Sequence, residues 1–273
     1  MTTKRILAAL CAALVLCLLL TGCGGKKTPA ATATEAADLL AQIKESGVIT
    51  IAMECTWAPW TYHDETDKLV GYDTEVGRKI AEKLGVEAQF IEGKWDGLLA
   101  GLDDGRYDIM INGVDVTPER EQKYAFSTPY AYNRTAVIVR TDDDRISTME
   151  DLNGLQTANT ISSTYAEVAE KYGATVTGVD DLNQTMELLL SGRIDATLNA
   201  EVTFYDYMKA HPDAGLKIAA IDPEQTSVAI PMRKGAENAA LVEAINNALA
   251  ELAANGELKA LSEKYFGTDI SSN

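Results

Sequence analysis

Short apolar or β-branched runs alternate with amphipathic stretches along the chain from Gly47 onward. The run Val48 to Met53 contains only apolar residues and one threonine, which predicts a buried strand. Farther along, Val76, Ile80 and Leu84 recur at the spacing that places side chains on one face of a helix. Alternation of this kind is typical of α/β architecture.

The same patterns predict the other elements. Strands are expected at Glu87 to Ile91, Asp108 to Asn112, Ala136 to Val139, Gln156 to Asn159, Thr175 to Val179, Ala196 to Asn199 and Ser227 to Pro231. Helices are expected at Thr74 to Leu84, at Trp95 to Leu102, at Thr164 to Tyr172, at Leu182 to Leu190, at Glu237 to Ala254 and at Leu258 to Tyr265. Asp73 is placed to cap the first of these helices, and Ser147-Thr148-Met149-Glu150 matches a capping box.

The second half of this series repeats the first, with no Pro-, Gly- or Ser-rich linker between them. Such a repeat predicts two mixed-sheet α/β lobes joined by two hinge strands, with the C-terminus returning to the first lobe. Lobe I is assigned to residues 46–133 plus 228–273, and lobe II to residues 134–227. The hinge is expected near Arg134 to Ala136 and near Gln225 to Val228.

Residues 1–22 differ from the rest of the chain. Two basic residues precede the apolar run Ile6 to Leu20, which is shorter than the roughly 20 residues that a transmembrane helix needs. The run ends in Leu20-Thr21-Gly22-Cys23, and the segment resembles the signal peptide of a bacterial lipoprotein. The resemblance implies cleavage before Cys23, whose thiol then carries a diacylglycerol and whose amine is acylated, for example with palmitate.

Residues 23–45 are expected to form a lipidated, flexible tether, because they are rich in Gly, Thr and Ala, with a helix beginning between Glu35 and Ser46. The mature chain then keeps Cys55 without a second internal cysteine, so no internal disulfide can form. A nucleophilic Cys55 would need a nearby base, and neither His63 nor His211 stands in a recognisable motif. A packed small residue is therefore favoured.

The chain carries 24 Lys and Arg against 41 Asp and Glu, a formal net charge of −17 at pH 7. Charge of this sign argues against nucleic acid as a partner, because phosphate backbones repel it. It is ordinary for a secreted domain, where it favours solubility.

Several motifs stand at the spacings found in one family of binding proteins. They are Glu54 to Trp60, Gly71-Tyr72-Asp73, Lys94 to Leu99, Gly105 to Asp108, Thr117 to Arg120, Phe126 to Tyr130 and the closing Leu261 to Gly267. Together they resemble the family 3 extracellular solute-binding proteins of amino-acid ABC transporters. The resemblance implies a two-lobed periplasmic-binding-protein-like fold of type II that closes on a free amino acid in the interlobe cleft.

The resemblance further implies a lipid-anchored monomer at the extracytoplasmic face of the cell membrane that needs no cofactor or metal and serves an ABC transporter permease. Two alternatives stay open. A sensory module would have the same ligand-binding lobes, and cleft enzymes of the cyclohexadienyl dehydratase type share the fold. Catalysis is not expected, because the sequence contains no Gly-x-Ser-x-Gly elbow, metal-ligand motif or phosphate loop.

A free amino acid carries a carboxylate and an ammonium, and burying either without a partner is costly. By resemblance, Arg120 binds the carboxylate, since a planar guanidinium can donate two parallel hydrogen bonds to it. Ser163 and Thr164 stand where a second-lobe strand turns into a helix, whose free N–H groups suit an anion. A surface ion pair for Arg120 and a plain helix cap for Thr164 stay open.

The family usually places an aspartate for the ammonium after the strand Gly192 to Ala196, but Ala200 holds that position here. The first-lobe Ser or Thr of the family is replaced by Asp115. We therefore predict that Asp115 pairs with the ammonium, aided by the Gly113 carbonyl. Glu201 could swing in instead, and Asp115 could cap the following turn.

The resemblance places Trp57, Trp60 and Trp95, together with Glu54, around the ligand's side chain. Core packing stays open for the tryptophans, above all for Trp60. Cationic-amino-acid binders carry an aspartate at the position of Glu54, and cystine-binding relatives can carry a glutamate. The motifs look closest to the cystine-type group. Cystine or another polar amino acid is therefore the favoured ligand.

Overall fold

The structure, a computed structural model, describes residues 38–273. Its α-helices are α1 (Leu39–Ser46), α2 (Tyr72–Leu84), α3 (Trp95–Asp103), α4 (Pro118–Lys123), α5 (Thr164–Lys171), α6 (Leu182–Leu190), α7 (Glu201–Ala210), α8 (Ala239–Ala254) and α9 (Glu257–Phe266). Its strands are β1 (Val48–Met53), β2 (Thr56–Trp57), β3 (Thr61–His63), β4 (Leu69–Val70), β5 (Glu87–Glu92), β6 (Ile109–Met110), β7 (Tyr124–Phe126), β8 (Ala131–Arg140), β9 (Gln156–Asn159), β10 (Thr175–Gly178), β11 (Thr197–Ala200), β12 (Leu216–Val228) and β13 (Pro231–Arg233). Short 3₁₀ turns lie at Met149–Leu152 and Ala236–Asn238.

β1 is the central strand of a parallel sheet with the order β5-β1-β6. α2 and α3 lie in the crossovers, because parallel neighbours need long connections. Ile49, Ile51 and Met53 of β1 are fully buried, as expected for a parallel sheet covered by helices. The carboxyl ends of β1 and β6 meet at one edge, where the Glu54 N–H donates to Asn112 Oδ1 at 2.7 Å.

The strand-helix pattern recurs in the second half of the chain. β9 and β10 pair in parallel, with α5 between them along the sequence and α6 following β10. Asn159 and Gly178 are register partners at the carboxyl ends of these two strands. An isolated parallel bridge from Thr157 to Ala196 joins β9 to the segment before β11.

Two long strands, β8 and β12, pair antiparallel, and β11 pairs with the other side of β8. The register shifts between Ile221 and Gln225, and Gln225 then pairs with Arg134. The two predicted hinge segments are therefore direct neighbours. The lobe boundaries at 133/134 and 227/228 fall within these strands and stay a prediction.

The C-terminal helices return to the first sheet. α8 and α9 pack against α2, and α1 packs against α8. Leu241, Ile245, Leu249 and Leu252 are buried along α8 at helical spacing. Because these side chains form one stripe, α8 is amphipathic and covers the core of the first lobe.

Asp73 does not cap a helix, contrary to the prediction. α2 begins at Tyr72, one residue before Asp73, and the Asp73 side chain is fully buried. Its carboxylate accepts hydrogen bonds from the Gly113 N–H at 2.6 Å and from the Tyr130 hydroxyl at 2.8 Å. Partners distant in sequence therefore replace the local capping bond.

The predicted capping box is displaced by one residue, because Thr148 and Asp151 form it instead of Ser147 and Glu150. The predicted strand Ser227 to Pro231 is in fact the end of β12 and the start of β13. α7 and the small sheet of β2, β3 and β4 have no counterpart in the sequence predictions.

The helix that was predicted to begin between Glu35 and Ser46 is present as α1, so the folded part of the chain begins before the tether boundary at residue 45. Residues 39–45 form most of α1, and Ile43 is 2% exposed. Residues 1–37, with the predicted signal peptide and Cys23, lie outside the described residues. Within residues 38–273, none of the helices has the length and apolar character needed to cross a bilayer.

Replacing Gly71 with alanine should lower the free energy of unfolding by about 3 kcal/mol. Gly71 has a φ of +126°, and an added Cβ would lie 2.3 Å from the Trp60 carbonyl oxygen, so backbone must move. Gly85→Ala is the matched control, because Gly85 has a φ of +72° and open space around the added Cβ, and about 1 kcal/mol is expected. Urea denaturation measures both losses, and equal losses would contradict the prediction.

Candidate functional site

A cavity of about 530 Å³ lies beyond the carboxyl ends of the parallel strands. Glu54 follows β1, Asn159 ends β9 and Asp181 follows β10, and all three line the cavity. Ligands of α/β proteins commonly bind beyond this end of the strands. The structure brings eight of the nine predicted ligand-binding residues to this cavity, namely Glu54, Trp57, Trp95, Gly113, Asp115, Arg120, Ser163 and Thr164.

Arg120 is positioned by the short helix α4. Pro118 is the first residue of α4, and the N-cap Thr117 accepts the Arg120 N–H at 3.2 Å through its hydroxyl. Proline at this position and threonine at the cap are favourable, since the N–H that proline lacks has no helical acceptor there. The Arg120 side chain is 7% exposed, which excludes a surface ion pair.

Backbone carbonyls and a ring hold the guanidinium of Arg120. Nη1 donates to the Asp115 carbonyl oxygen and Nη2 donates to the Ser162 carbonyl oxygen, each at 3.1 Å. The guanidinium carbon lies 5.5 Å from the centre of the Trp95 ring, a cation–π contact. These contacts fix the plane of a group that has five N–H donors, which prepares it to receive a planar anion.

Asp115 is 3% exposed and lies on the cavity wall beside Arg120. Its Oδ2 accepts the Thr164 hydroxyl at 2.5 Å, whereas Oδ1 has no hydrogen-bond partner among the described residues. Burial raises the pKa of Asp115, and hydrogen bonds from Thr164 and Thr226 and the charge of Arg120 oppose that rise. The carboxylate therefore faces across the cavity instead of capping a turn.

Ser163 and Thr164 have different roles at the start of α5. Ser163 is the N-cap, and its hydroxyl oxygen accepts the Ala166 N–H at 3.2 Å. Thr164 is the first helical residue, and its hydroxyl donates a hydrogen bond to Asp115 Oδ2. The first turn of a helix also leaves N–H groups without helical acceptors, so this wall of the cavity is suited to an anion.

Further hydrogen bonds join the two halves of the chain around the cavity. Trp57 Nε1 donates to Asn199 Oδ1 at 3.3 Å, the Ser162 hydroxyl donates to Asp96 Oδ1 at 2.7 Å, and Lys94 Nζ pairs with Asp180 Oδ2 at 2.6 Å. These contacts connect the segments before and after β8 across the cavity.

Unpaired polar atoms are concentrated in the cavity walls. Within residues 38–273, four buried side-chain polar atoms lack a hydrogen-bond partner, and three of them belong to residues that line the cavity. These three are Asp115 Oδ1, Asn159 Oδ1 and Trp95 Nε1. Buried polar atoms are normally paired, so the cavity walls are complementary to a polar molecule.

Glu54 adds a second carboxylate to the cavity. Its Oε2 accepts a hydrogen bond from Asn112 Nδ2 at 2.7 Å. Burial raises the pKa of Glu54 to about 7, and the negative charges of Asp181 and Asp96 raise it further, while the Asn112 hydrogen bond lowers it. Near neutral pH this group is therefore poised between its charged and neutral forms.

Glu201 lies elsewhere, at the start of α7. Its Oε2 accepts hydrogen bonds from Arg134 Nη2 at 2.7 Å and Nε at 3.0 Å, and its Oε1 accepts the Tyr205 hydroxyl at 3.0 Å. These three side chains line a second, more open cavity of about 1290 Å³. Both carboxylate oxygens of Glu201 thus accept hydrogen bonds in the second cavity, and Glu201 does not line the first.

Trp57 and Trp95 line the cavity, whereas Trp60 does not. Trp57 lines the cavity and stacks on Trp60, with ring centres 5.3 Å apart. Trp60 is fully buried in the core and donates from Nε1 to Thr203 Oγ1 at 3.1 Å. Gly113 has a φ of +54°, and an added Cβ would lie 2.5 Å from the Trp57 ring, so only glycine leaves room for this ring.

Sequence reasoning missed Asn159, Asp181 and Asn199, which also line the cavity. Each is a polar residue at or just after the carboxyl end of a second-lobe strand or at the cap of the next helix. That position in the strand-helix rhythm is the signal that could have identified them.

Cys55, His63 and Glu92 place possible metal-ligand atoms within 4.8 Å of one another. Burial raises the pKa of Cys55 to about 12, so its thiol stays protonated and is a poor ligand or nucleophile. His63 Nε2 is hydrogen-bonded to Glu92 Oε1 at 3.0 Å. Cys55 is therefore the packed small residue that the sequence predicts, and we assign no metal centre to this group.

Replacing Glu54 with glutamine should stabilise the ligand-free protein at pH 8 by about 3 kcal/mol and have little effect at pH 4.5. The folded-state pKa of about 7 exceeds the usual 4.5, so the folded protein binds the extra proton between these values. Glu54 consequently reduces stability as pH rises through this window. Urea denaturation of both proteins measures the free energy of unfolding at each pH. A stabilisation of equal size at pH 8 and pH 4.5 would contradict the prediction.

Two solved structures of similar proteins, one with a bound ligand and one unliganded and open, match this structure to different degrees. An ancestral arginine-binding protein bound to arginine matches with a TM-score of 0.76 and 34% identity, over 81% of this chain and 99% of that chain. The L-cystine solute receptor of Neisseria gonorrhoeae, unliganded and open, matches with a TM-score of 0.59 and 40% identity, over 86% and 99%. The structure therefore superposes better on the ligand-bound protein than on the unliganded, open one, although the latter is more similar in sequence.

The model of the family "Bacterial extracellular solute-binding proteins, family 3" matches residues 49–268. A probable amino-acid ABC transporter-binding protein of Haemophilus influenzae is 38% identical over 239 residues, which cover 88% of this chain and 92% of that protein. These matches span both parallel sheets and the whole cavity. The chain thus has the two-lobed type II fold and belongs to the family 3 bacterial extracellular solute-binding proteins.

Proposed function

We propose that this chain is the extracytoplasmic, lipid-anchored binding component of an amino-acid ABC importer, and that it binds a polar amino acid, with cystine favoured. One observation carries the proposal: Arg120 and the unpaired Oδ1 of Asp115 share one buried cavity. A fixed guanidinium and a free carboxylate oxygen beside each other are complementary to a zwitterion.

The α-carboxylate of the ligand is assigned to Arg120, with the first turn of α5 at Ser163 and Thr164 as its second contact. The α-ammonium is assigned to Asp115 Oδ1 and the Gly113 carbonyl. Each ligand charge then has an opposite partner, which offsets the large cost of removing charges from water. The pairing also explains how the family's usual second-lobe aspartate can be absent at Ala200.

The binding cycle is assigned to hinge closure along β8 and β12. Arg120 and Asp115 belong to the first lobe as assigned here, whereas Thr164 and Asn159 belong to the second. A ligand that contacts both lobes binds the closed form more tightly than the open form, and this difference shifts the equilibrium toward closure. The closed protein is then the form that docks on the permease.

The transport role is supported by the name of the Haemophilus influenzae relative, and the lipid anchor by the predicted leader of residues 1–22 and by Cys23, which follows it. Cystine is favoured because the cystine receptor of Neisseria gonorrhoeae is 40% identical over most of the chain. Trp57, Trp95 and Glu54 line the part of the cavity assigned to the ligand's side chain.

Isothermal titration calorimetry of the purified protein against the twenty common amino acids and L-cystine tests the proposal. At least one should bind with a dissociation constant of about 10 μM or lower, because two buried charge pairs form. Circular dichroism and thermal unfolding confirm that the protein is folded. A folded protein that binds none of these compounds would overturn the proposal.

A further inference from the structure

The indole rings of Trp57 and Trp60 form a stacked pair at one wall of the cavity. Their planes differ by only 14°, and with ring centres 5.3 Å apart the rings are in the offset arrangement in which aromatic rings attract each other. Since Trp57 lines the cavity and Trp60 does not, Trp60 covers one face of Trp57 from behind. The ring that a ligand would meet is therefore supported by a second ring.

Both indole N–H groups of the pair donate to one short segment of the second lobe as assigned here. Trp57 Nε1 donates to Asn199 Oδ1 at 3.3 Å, and Trp60 Nε1 donates to Thr203 Oγ1 at 3.1 Å. Asn199 lies in β11, and Thr203 lies in the first turn of α7, which follows β11 directly. The pair thus joins the first lobe to the junction of β11 and α7.

Further ring contacts hold Trp60 in place. Tyr72 meets it edge to face with ring centres 6.0 Å apart, and the ring centre of Phe266 lies 4.8 Å away. Trp60 and Thr203 are both fully buried, so water cannot replace the hydrogen bond between them. Without the Thr203 hydroxyl, a buried donor would lose its partner, and this cost favours movement of the Trp60 ring.

The backbone at Gly113 depends on the same pair. An added Cβ at Gly113 would lie 2.5 Å from the Trp57 ring and 3.5 Å from the Trp60 ring, so this backbone packs against both indoles. The Gly113 carbonyl is also the group assigned to the ligand's ammonium. A shift of the pair would therefore disturb both the Trp57 ring and the backbone that faces the ligand.

We propose that Trp60 is a positioning residue for ligand binding, anchored by Thr203 of the second lobe. By stacking on Trp57 and packing against Gly113, it holds both residues in the cavity wall. This inference rests on the proposed function, because it needs a ligand in the cavity. Trp60 then acts through Trp57 and Gly113, without the direct ligand contact that the resemblance to the family implies.

The anchor links affinity to the arrangement of the lobes. Trp60 and Thr203 belong to different lobes as assigned here, so the bond between them depends on how the lobes lie relative to each other. A ligand that contacts both lobes depends on the same arrangement. The bond therefore contributes to affinity although neither of its partners lines the cavity.

A Thr203→Val variant tests the anchor, because valine keeps the shape of threonine and removes the acceptor of the Trp60 N–H. Its affinity for the tightest-binding compound among the twenty common amino acids and L-cystine should fall about tenfold in calorimetry. The stacked indoles should also give a split circular-dichroism band, because their transitions couple, and the variant should weaken this band. Thr203→Ser keeps the hydroxyl and should retain both the wild-type affinity and the band.

Thr197→Val is the matched control. Thr197 is fully buried in β11, and its hydroxyl donates to the Ala158 carbonyl oxygen at 2.9 Å within the second lobe. Its replacement should lower the free energy of unfolding in urea but keep the split band and leave affinity within about threefold of the wild-type value. An unchanged band and affinity in folded Thr203→Val, or equal losses of affinity in both variants, would overturn the positioning role. No binding by the wild-type protein would overturn the proposed function instead.

Trp60→Phe removes the same hydrogen bond from its other side. Phenylalanine keeps a ring in the core but has no N–H to donate to Thr203, so affinity should again fall about tenfold. The double variant Trp60→Phe/Thr203→Val should also lose about tenfold and not about 100-fold, since both changes remove one bond. Additive losses, or wild-type affinity in folded Trp60→Phe, would contradict the anchor.

Discussion

An Arg120→Lys variant should bind its amino acid about 100-fold more weakly than the wild-type protein, although the positive charge is kept. In the structure the guanidinium donates to two carbonyl oxygens, those of Asp115 and Ser162, and still has further N–H groups. The three tetrahedral donors of lysine cannot hold both carbonyls and also present two parallel hydrogen bonds to a carboxylate. Calorimetry measures the loss.

Arg106→Lys is the control for this prediction. Arg106 is exposed and donates to Asp104 at 2.8 Å, away from the cavity. Its replacement should leave the affinity unchanged. If the affinity of Arg120→Lys stays within about threefold of the wild-type value, Arg120 does not donate two parallel hydrogen bonds to the ligand's carboxylate. The assignment of the α-carboxylate to Arg120 is then wrong.

An Asp115→Asn variant should lose about 100-fold or more in affinity, because an amide offers the α-ammonium no opposite charge and can present an N–H₂ group to it. Unlike the affinity, the stability of the folded protein should not be reduced by this substitution. Burial raises the pKa of Asp115, so the ionised carboxylate is disfavoured in the folded state and a neutral side chain should be tolerated. At pH 8 the free energy of unfolding without ligand should stay the same or rise.

Glu201→Gln separates the two candidates for the ammonium partner. Glu201 is bound by Arg134 and Tyr205 in the second cavity, so its replacement should leave affinity within about threefold of the wild-type value. Calorimetry and urea denaturation of both variants provide the comparison. Loss of binding in Glu201→Gln, with binding kept in Asp115→Asn, would reverse the assignment.

The regular elements were predictable where the periodicity of the sequence and the burial of the side chains agree. β1 is apolar apart from Thr50 because helices cover its sheet, and α8 has a regular apolar stripe because one face meets the core. α7 was not predicted, since Tyr205 is 54% exposed while Phe204 is buried, and this mixture gives no clear period. The hydrophobic pattern thus identifies an element when its side chains are buried throughout or at a regular period.

The candidate site was predictable in part, and Asp73 illustrates the limit. A carboxylate just before an amphipathic stretch is normally read as a helix cap, but here it bridges Gly113 and Tyr130 in the core. Those partners are 40 and 57 residues away in sequence, so no local pattern can indicate them. Tertiary contacts decided the role of this side chain.

Arg120 and Asp115 were identifiable because the resemblance to the family assigns a ligand contact to each of these positions. Asn159 was not, because an asparagine at a strand end has no distinct meaning until the cavity beside it is known. Its unpaired Oδ1 is a property of the folded molecule alone. A cavity residue outside the shared motifs is therefore harder to identify from the sequence than one within them.

A crystal structure of the protein with its tightest-binding amino acid tests the central assignment most directly. The α-carboxylate should accept hydrogen bonds from the Arg120 guanidinium, and the α-ammonium should lie about 2.8 Å from Asp115 Oδ1. A ligand bound between Arg134 and Glu201 in the second cavity, or one whose ammonium faces away from Asp115, would contradict it.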